Sequence, residues 1–402
     1  MRQHERKRFL AVMGNASDIG AWSGIPYYFY QAGKSSGFFQ GALNLDVPGL
    51  RLPRLQWNLR QALLGRGMGG YQYSTACLQR TFEKVRTQVT GSEIISHFQL
   101  FPPLYLARKY GVVSNFYIDL PLSRLFDDYG IARTIGKTIA SDAIKREQDG
   151  YLQADHVVCM SSWAARTVQE EYAVPTGKVS AILPGANLHE GLVEEQTAGL
   201  DEEPIICDFG KDRPFRFGFI GKDYQRKGLP RLVKAVQLLK ASGFHCEVVV
   251  IGYLPEEYKQ HPAVRWLGFI DKRYDEKAFI KSVMTFDLGC LLSYAEGLGI
   301  STLECLRLGV PVLGTDVGGI TDCVPAKAGM LSPVNARPEE IASAVQPLLQ
   351  QPDLYKSMRI EARRIRGHYS WARTVSQFTD LWRTDSPTEK VSSQAKEPSI
   401  EV

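Results

Sequence analysis

Three short segments in the second half of the chain collect the residue types that handle phosphate and hydroxyl groups. The first, FIGKDYQRKG at 219–228, ends an apolar run on Gly221 and follows it with Lys222 and Lys227. A lysine pair at a glycine turn before a helix N-terminus can neutralise a diphosphate; lysines beside a turn can equally be solvated surface. The second, AEGLGISTLE at 295–304, has Glu296 in a loop, then Gly297, Leu298 and Gly299, with a helix expected from about Ser301. Its glycines would leave the backbone exposed, and free amides at the helix start, with the macrodipole, suit a phosphate. Glu304 falls one turn into that helix. A carboxylate there can accept two ribose hydroxyls, and Glu296 can do the same for a hexose. Ser301 and Glu304 also have the spacing of a capping box, with Glu304 folded back on the helix start. The third segment, GTDVGGITDCV at 314–324, places Gly318 and Gly319 after a buried strand, as a close approach to a ligand or as a plain loop.

The first half offers fewer such groups. In WSGIPYYFY (22–30), Gly24 would let the backbone approach a ligand; the alternative is a Ser23 N-cap with Gly24 and Pro26 in the first helical turn. His97 and Asp119 end the apolar runs EIISHFQ and SNFYIDL, where a side chain reaches either a cleft or a structural partner. RLPRLQWNLRQALLGRG (51–67) is basic and apolar with no acid, the pattern of a helix packing its apolar face into a core.

Holding these groups requires a rigid frame, and the chain's pattern is that of parallel α/β layers. Its 402 residues suit two domains, and 44% hydrophobic against 23% charged residues supplies two cores. Strands are expected at Phe9–Asn15, Glu93–Gln99, Ser114–Leu120, His156–Ser161 and Val179–Leu183, with helices such as Tyr73–Val89 and Trp163–Tyr172 between them. Residues 189–214 are acidic, turn-rich and poorly periodic, and read as a linker. Strands resume at Arg216–Gly221, Cys246–Gly252, Val264–Ile270, Asp287–Ser293, Pro311–Thr315 and Gly329–Ser332. Helices are expected at Leu229–Ser242, Glu276–Val283, Ser301–Leu308 and Pro338–Gln350. The chain divides into an N-terminal domain (1–188), the linker, a C-terminal domain (215–369), a helix over 370–385 and a polar, disordered tail at 386–402. All three clusters then fall at the C-terminal ends of successive strands, where open α/β sheets take ligands.

Composition narrows the partners. The seven cysteines have no close spacing and several sit in strand-like runs, so they read as buried reduced thiols of a cytoplasmic protein. A net charge of +5 suits an anionic substrate or an anionic membrane surface, and no dense basic and aromatic array points to nucleic acid. No apolar run is long enough to span a bilayer.

Taken together and in order, the three segments resemble the C-terminal domain of retaining glycosyltransferases of family four, which have the GT-B fold. Gly221, Lys222, Lys227 and Gly228 match the family's Gly-(Arg/Lys)-x-x-x-x-Lys-Gly pattern. Glu296, Gly297, Leu298, Gly299 and Glu304 match its Glu, seven residues, Glu motif, and GVPVLGTDVGGITD matches the stretch that follows. Lys222 stands where arginine is common, which keeps the charge and loses the bidentate fork; Asp322 stands where glutamate is common. The resemblance implies two Rossmann-like domains with parallel sheets facing a central cleft, the C-terminal helix crossing back to the N-terminal domain. It implies transfer of a hexose from a nucleoside diphosphate sugar, UDP or GDP expected, to a hydroxyl of a glycan, lipid-linked or small-molecule acceptor, with retention. Lys222, Lys227 and the amides near Gly297–Gly299 would stabilise the leaving diphosphate, so no metal or other cofactor is expected; no Asp-x-Asp motif occurs. Glu296 would orient the sugar and Glu304 the ribose, while Gly24 and Asp119 would face them from the N-terminal side. Asp119 stands about where many relatives carry a histidine, so that histidine's role does not transfer to it. Relatives that act on lipids often rest a segment such as 51–67 on the inner membrane face, which makes peripheral membrane contact the second reading of that segment. A nucleotide-sugar epimerase or a non-catalytic sugar-nucleotide-binding protein on this scaffold is the alternative.

Overall fold

The computed structural model describes residues 6–46, 51–65, 69–207, 209 and 213–384. The expected tail, 386–402, and residues 66 and 67 of the basic segment lie outside them. Strands β1 (Arg8–Val12), β2 (Gly41–Asn44), β3 (Glu93–Ser96), β4 (Val113–Ile118), β5 (Val157–Cys159) and β6 (Val179–Ala181) form one parallel sheet, in the order β2-β1-β3-β4-β5-β6. Strands β7 (Phe215–Gly221), β8 (Cys246–Gly252), β9 (Val264–Trp266), β10 (Leu288–Leu291), β11 (Val312–Asp316) and β12 (Gly329–Pro333) form a second, in the order β12-β11-β10-β7-β8-β9.

The apolar runs explain the strands. In CEVVVIG every residue of β8 except Glu247 is buried, because helices cover both faces of a parallel sheet. The edge strand β2, GALN, buries only Leu43 and gives no such run; it went unread in the sequence for that reason. The expected strand at Val264–Ile270 stops at Trp266, leaving 267–271 as a loop above the sheet.

Strand order fixes where ligands can sit. In the second sheet the chain moves outward from β7 through β8 to β9, then returns to lay β10 on the other side of β7. Loops leaving β7 and β10 therefore diverge and open a crevice at the strands' C-terminal ends. The first sheet has the same reversal between β1 and β3.

Residues 189–214, expected as a linker, contain a helix, Glu190–Thr197, with Val193 and Thr197 on its buried side. Glu190 pairs with Arg307, and Arg363 donates to the Glu203 carbonyl at 2.7 Å, so this segment is pinned to the C-terminal domain. The last helix, Trp371–Thr384, crosses back as expected. Its Phe378 ring lies 5.0 Å from Phe29 and 4.8 Å from Tyr117, in the core of the N-terminal domain. All seven cysteines are free thiols, and all but Cys207 are buried.

Candidate active site

A cleft of about 500 Å³ opens at the reversal point of the second sheet. Lys222, Arg226 and Lys227, from the loop after β7, line one wall, and Ser301 and Glu304 form part of the floor. Lys222 is exposed at the rim, its ammonium 5.0 Å from the Phe269 ring, and Phe269 stacks on Tyr253 at 4.6 Å. Lys227 is more enclosed. Gly221, the last residue of β7, gives its side chain room: a Cβ there would come 2.6 Å from Lys227 Cδ.

Glu296 sits in the loop after β10 and is held from three sides. Its Oε2 accepts from Arg226 at 2.8 Å and from the Ser293 hydroxyl at 3.1 Å, with Lys227 Nζ at 3.8 Å. Arg226 also donates to the Ala295 carbonyl at 2.7 Å, so it fixes both the carboxylate and its loop.

The helix below starts at Ile300, not Ser301, with Gly299 as its N-cap. That shift decides between the two readings of Glu304. Ser301 is inside the first turn and its buried hydroxyl has no hydrogen-bond partner among the described residues, so no capping box forms. Glu304 instead receives Lys272 Nζ at 2.6 Å. Burial pushes the Glu304 carboxyl up, against the pull of Lys272 and Lys227.

Gly297, Leu298 and Gly299 are buried, which corrects the expectation of exposed backbone. The N-terminal domain closes on them. A Cβ on Gly297 would come 2.6 Å from Leu120 Cγ, so this glycine makes room for the opposite domain. Nearby, the Asp322 carboxylate accepts from the Ser162 amide at 2.7 Å, the Ser162 hydroxyl at 2.5 Å and the Trp163 amide at 3.3 Å. A residue of the C-terminal domain thus takes the first two amides of the helix Ser162–Glu171 of the N-terminal domain, beside the N-cap Ser161, whose hydroxyl accepts from the Ala164 amide. Gly319 permits the approach, since a Cβ there would lie 2.0 Å from the Gly297 carbonyl and 3.1 Å from Ser161.

The N-terminal candidates separate. Asp119 follows β4 and is half-buried. Burial pushes its carboxyl up to about 6, opposed by the Leu120 amide, with a further push from Glu296 across the interface. His97 is a core residue. Its Nδ1 donates to the Tyr117 carbonyl at 2.7 Å, and burial pushes its imidazole down to about 4. Gly24, at φ +92°, is the N-cap of the helix Ile25–Ser35, and Ser23 makes no cap. The space where a Gly24 Cβ would sit is filled by Tyr28 at 3.1 Å; Gly20 and Ser23 of the same loop line the cleft. The segment at 51–67 forms a helix, Arg51–Leu63, whose apolar face is not in a core. Leu52, Leu55, Leu59 and Leu63 are 63%, 56%, 58% and 88% exposed and share one side, while Gln61 is buried.

Arg226, Lys272 and the free Ser301 hydroxyl were not singled out from sequence. Arg226 lay in full view in QRKG beside the matched lysine. Lys272 follows Asp271, an N-cap whose carboxylate accepts from the Arg273 amide, and nothing local says it reaches Glu304.

Residues 203–365 match the family model described as Glycosyl transferases group 1. The whole architecture superposes on sucrose-phosphate synthase from Thermosynechococcus elongatus with a TM-score of 0.65 at 16% identity, covering 94% of this chain and 99% of that one. The fold is GT-B. Anabaena HepE in complex with UDP and glucose gives a TM-score of 0.61 at 13% identity, over 94% of this chain and 100% of that one. By sequence the chain is similar to D-inositol 3-phosphate glycosyltransferase of Jonesia denitrificans, 25% identical over 57% of each chain. It is also 27% identical to alpha-D-kanosaminyltransferase of Streptomyces kanamyceticus, over 46% of this chain and 47% of the relative. The matched stretch thus spans about half the length of these relatives.

The Asp322 clasp makes a direct prediction. Asp322→Ala should lower stability by about 1 kcal/mol, the usual net worth of a lost intramolecular hydrogen bond. By hydrogen exchange, the amides of Ser162 and Trp163 should exchange faster, with β10 unchanged. Unaltered exchange at those two amides would show that the clasp does not hold the helix.

Proposed function

We propose that the protein is a glycosyltransferase that moves a hexose from a nucleoside diphosphate sugar to a hydroxyl acceptor, with retention and without a metal. The observation that carries this is one cleft with cations along one wall and the Glu304 carboxylate on its floor. Lys222, Arg226 and Lys227 gather beside the free Ser301 hydroxyl at a helix N-terminus. That is where a diphosphate's charge would be received. Glu304 and Glu296 flank that point, where the ribose and the transferred sugar would present hydroxyl donors.

Each group then has a task. The cations and the helix amides stabilise charge as it grows on the departing diphosphate, and being already in place they need no reorganisation during the reaction. Glu296, held by Arg226, orients the sugar. Asp119 meets it from the other domain with a carboxylate that gains a proton as pH falls through about 6. The donor's own phosphate takes the acceptor proton, so no strong protein base is required. The base lies toward Gly252 and the Phe269 ring. The two sequence relatives named above, both transferases by name, support this reading, and UDP in the HepE complex favours UDP as the donor nucleotide, with GDP next.

The exposed leucines of the helix Arg51–Leu63 support contact with a membrane surface. Arg54 and Arg60 are exposed beside them and no acid interrupts the segment, so lipid would bury the stripe and anionic headgroups would meet the arginines. Leu55→Asp with Leu59→Asp should abolish co-sedimentation with vesicles containing anionic lipid and leave the melting temperature unchanged. Vesicle binding equal to that of the unaltered protein would remove the membrane from the proposal.

Calorimetry with UDP, GDP and ADP, with and without EDTA, tests the donor site. One diphosphate should bind, indifferent to EDTA, and Lys227→Ala and Glu304→Ala should each weaken it about tenfold or more, as expected for lost charge-assisted bonds. Failure of all three to bind would refute the donor site. With the matching sugar nucleotide, interconversion of the free donor in place of transfer would mark an epimerase.

A further inference from the structure

Lys272 opens the helix Lys272–Met284, and its ammonium is spent on two partners from different parts of the molecule. It donates to Glu304 Oε1 at 2.6 Å and to the Asn187 carbonyl at 2.8 Å. Asn187 lies in the segment after β6, where the chain leaves the N-terminal domain. Its side chain donates to the Ser23 carbonyl at 2.8 Å and accepts from the Trp371 indole at 3.2 Å. One lysine therefore joins the carboxylate on the cleft floor to the junction between the domains. A break in the helix at Asp275 (φ −146°) sets this up. The first turn points Lys272 at Glu304, and the restarted helix points Glu276 at Tyr28 and at the His189 amide, which donates at 2.7 Å.

The chemistry at Glu304 gives this contact a consequence. A carboxylate offers about four acceptor positions, and Lys272 uses one of them. Ribose hydroxyls need the others, and they need the group ionised, because a protonated carboxyl turns one acceptor into a donor. The side chain of Glu304 is almost wholly buried, and burial alone favours the protonated form. Lys272 is the nearest cation to it; Lys227 is the next.

We infer that Lys272 is the positioning residue that keeps Glu304 ionised and oriented toward a ribose, and that it thereby sets how strongly the site prefers a ribonucleotide to its 2′-deoxy counterpart. This rests on the donor site proposed above. Among the described residues, the other titratable groups whose charge is felt at Glu304 are Lys227 from the loop after β7, Glu276 with His189 behind it, Tyr28 from the first helix and the neighbouring Cys305. Burial pushes Tyr28 and Cys305 far up, so both stay neutral in the working range. With Lys272 removed, Glu304 holds its proton to higher pH and loses its acceptor role at neutral pH. Affinity then returns as pH rises and the carboxylate is restored.

The experiment is calorimetric titration with UDP, GDP and their 2′-deoxy forms between pH 6 and 9, on the full chain. The unaltered protein should prefer the ribonucleotide and change little with pH. Lys272→Met should bind it about tenfold more weakly at neutral pH, lose the preference for ribose, and gain affinity as pH rises. Lys272→Arg should restore both preference and pH behaviour in part. Should Lys272→Met unfold, the double variant Lys272→Met with Glu304→Gln removes the unpaired charge. It should melt near the unaltered protein and bind both sugars alike at every pH. A Lys272→Met protein that keeps the ribose preference and a flat pH profile would overturn the assignment while leaving the donor site intact. An unaltered protein that binds none of the nucleotides would overturn the donor site, and this inference with it.

Discussion

Glu304 lies on the floor of a cleft that two domains close over and Glu296 in the loop behind Arg226, and ions so placed persist only when counter-charges are sealed in with them. Removing one partner of such a buried pair typically costs about 3–5 kcal/mol. Here Arg226 and Lys227 answer Glu296, and Lys272 answers Glu304. The arrangement does more than neutralise. Arg226 and Lys272 are each anchored a second time on a backbone carbonyl, of Ala295 and of Asn187, so these two charges are fixed before a ligand enters. A preorganised set of this kind can receive a dianionic leaving group without moving.

The sheets decide which residues can join this set. Because β10 returns to the far side of β7, the loops that carry Arg226 and Lys227 and the loop that carries Glu296 rise on either side of one gap. The same reversal in the first sheet sends the loop with Gly20 and Ser23 to the opposite lip. Closure is then a matter of bare backbone. Gly297 takes Leu120, Gly319 takes Ser161, and Asp322 reaches over to the first amides of a helix of the other domain. The glycines of the matched motifs thus serve the meeting of the domains as much as any ligand.

The sequence carried the second sheet well, since β7, β8 and β10 are short, mostly apolar runs and the loops after β7 and β10 hold matched motifs. It carried the ends poorly. β2 has one buried residue and no run; the helix at 190–197 has three acids in eight residues, and the arginine that pairs with its first residue lies 117 positions away. The site divides the same way. Lys222, Lys227, Glu296 and Glu304 were legible because their spacing is local. Lys272 was not, because its link to Glu304 spans 32 residues and depends on a helix break that no periodicity announces. Gly24 and the leucines of residues 51–63 went astray for a common reason: pattern tells which residues share a face, and only packing tells what that face meets.

The most direct test is a crystal structure of the protein soaked with UDP or GDP, whichever binds. The account predicts the β-phosphate at the start of the helix Ile300–Arg307, within hydrogen-bond reach of Ser301 and Lys227, and the ribose hydroxyls on Glu304. A nucleotide seated elsewhere, or Glu304 still turned from the ribose with the site filled, would contradict it.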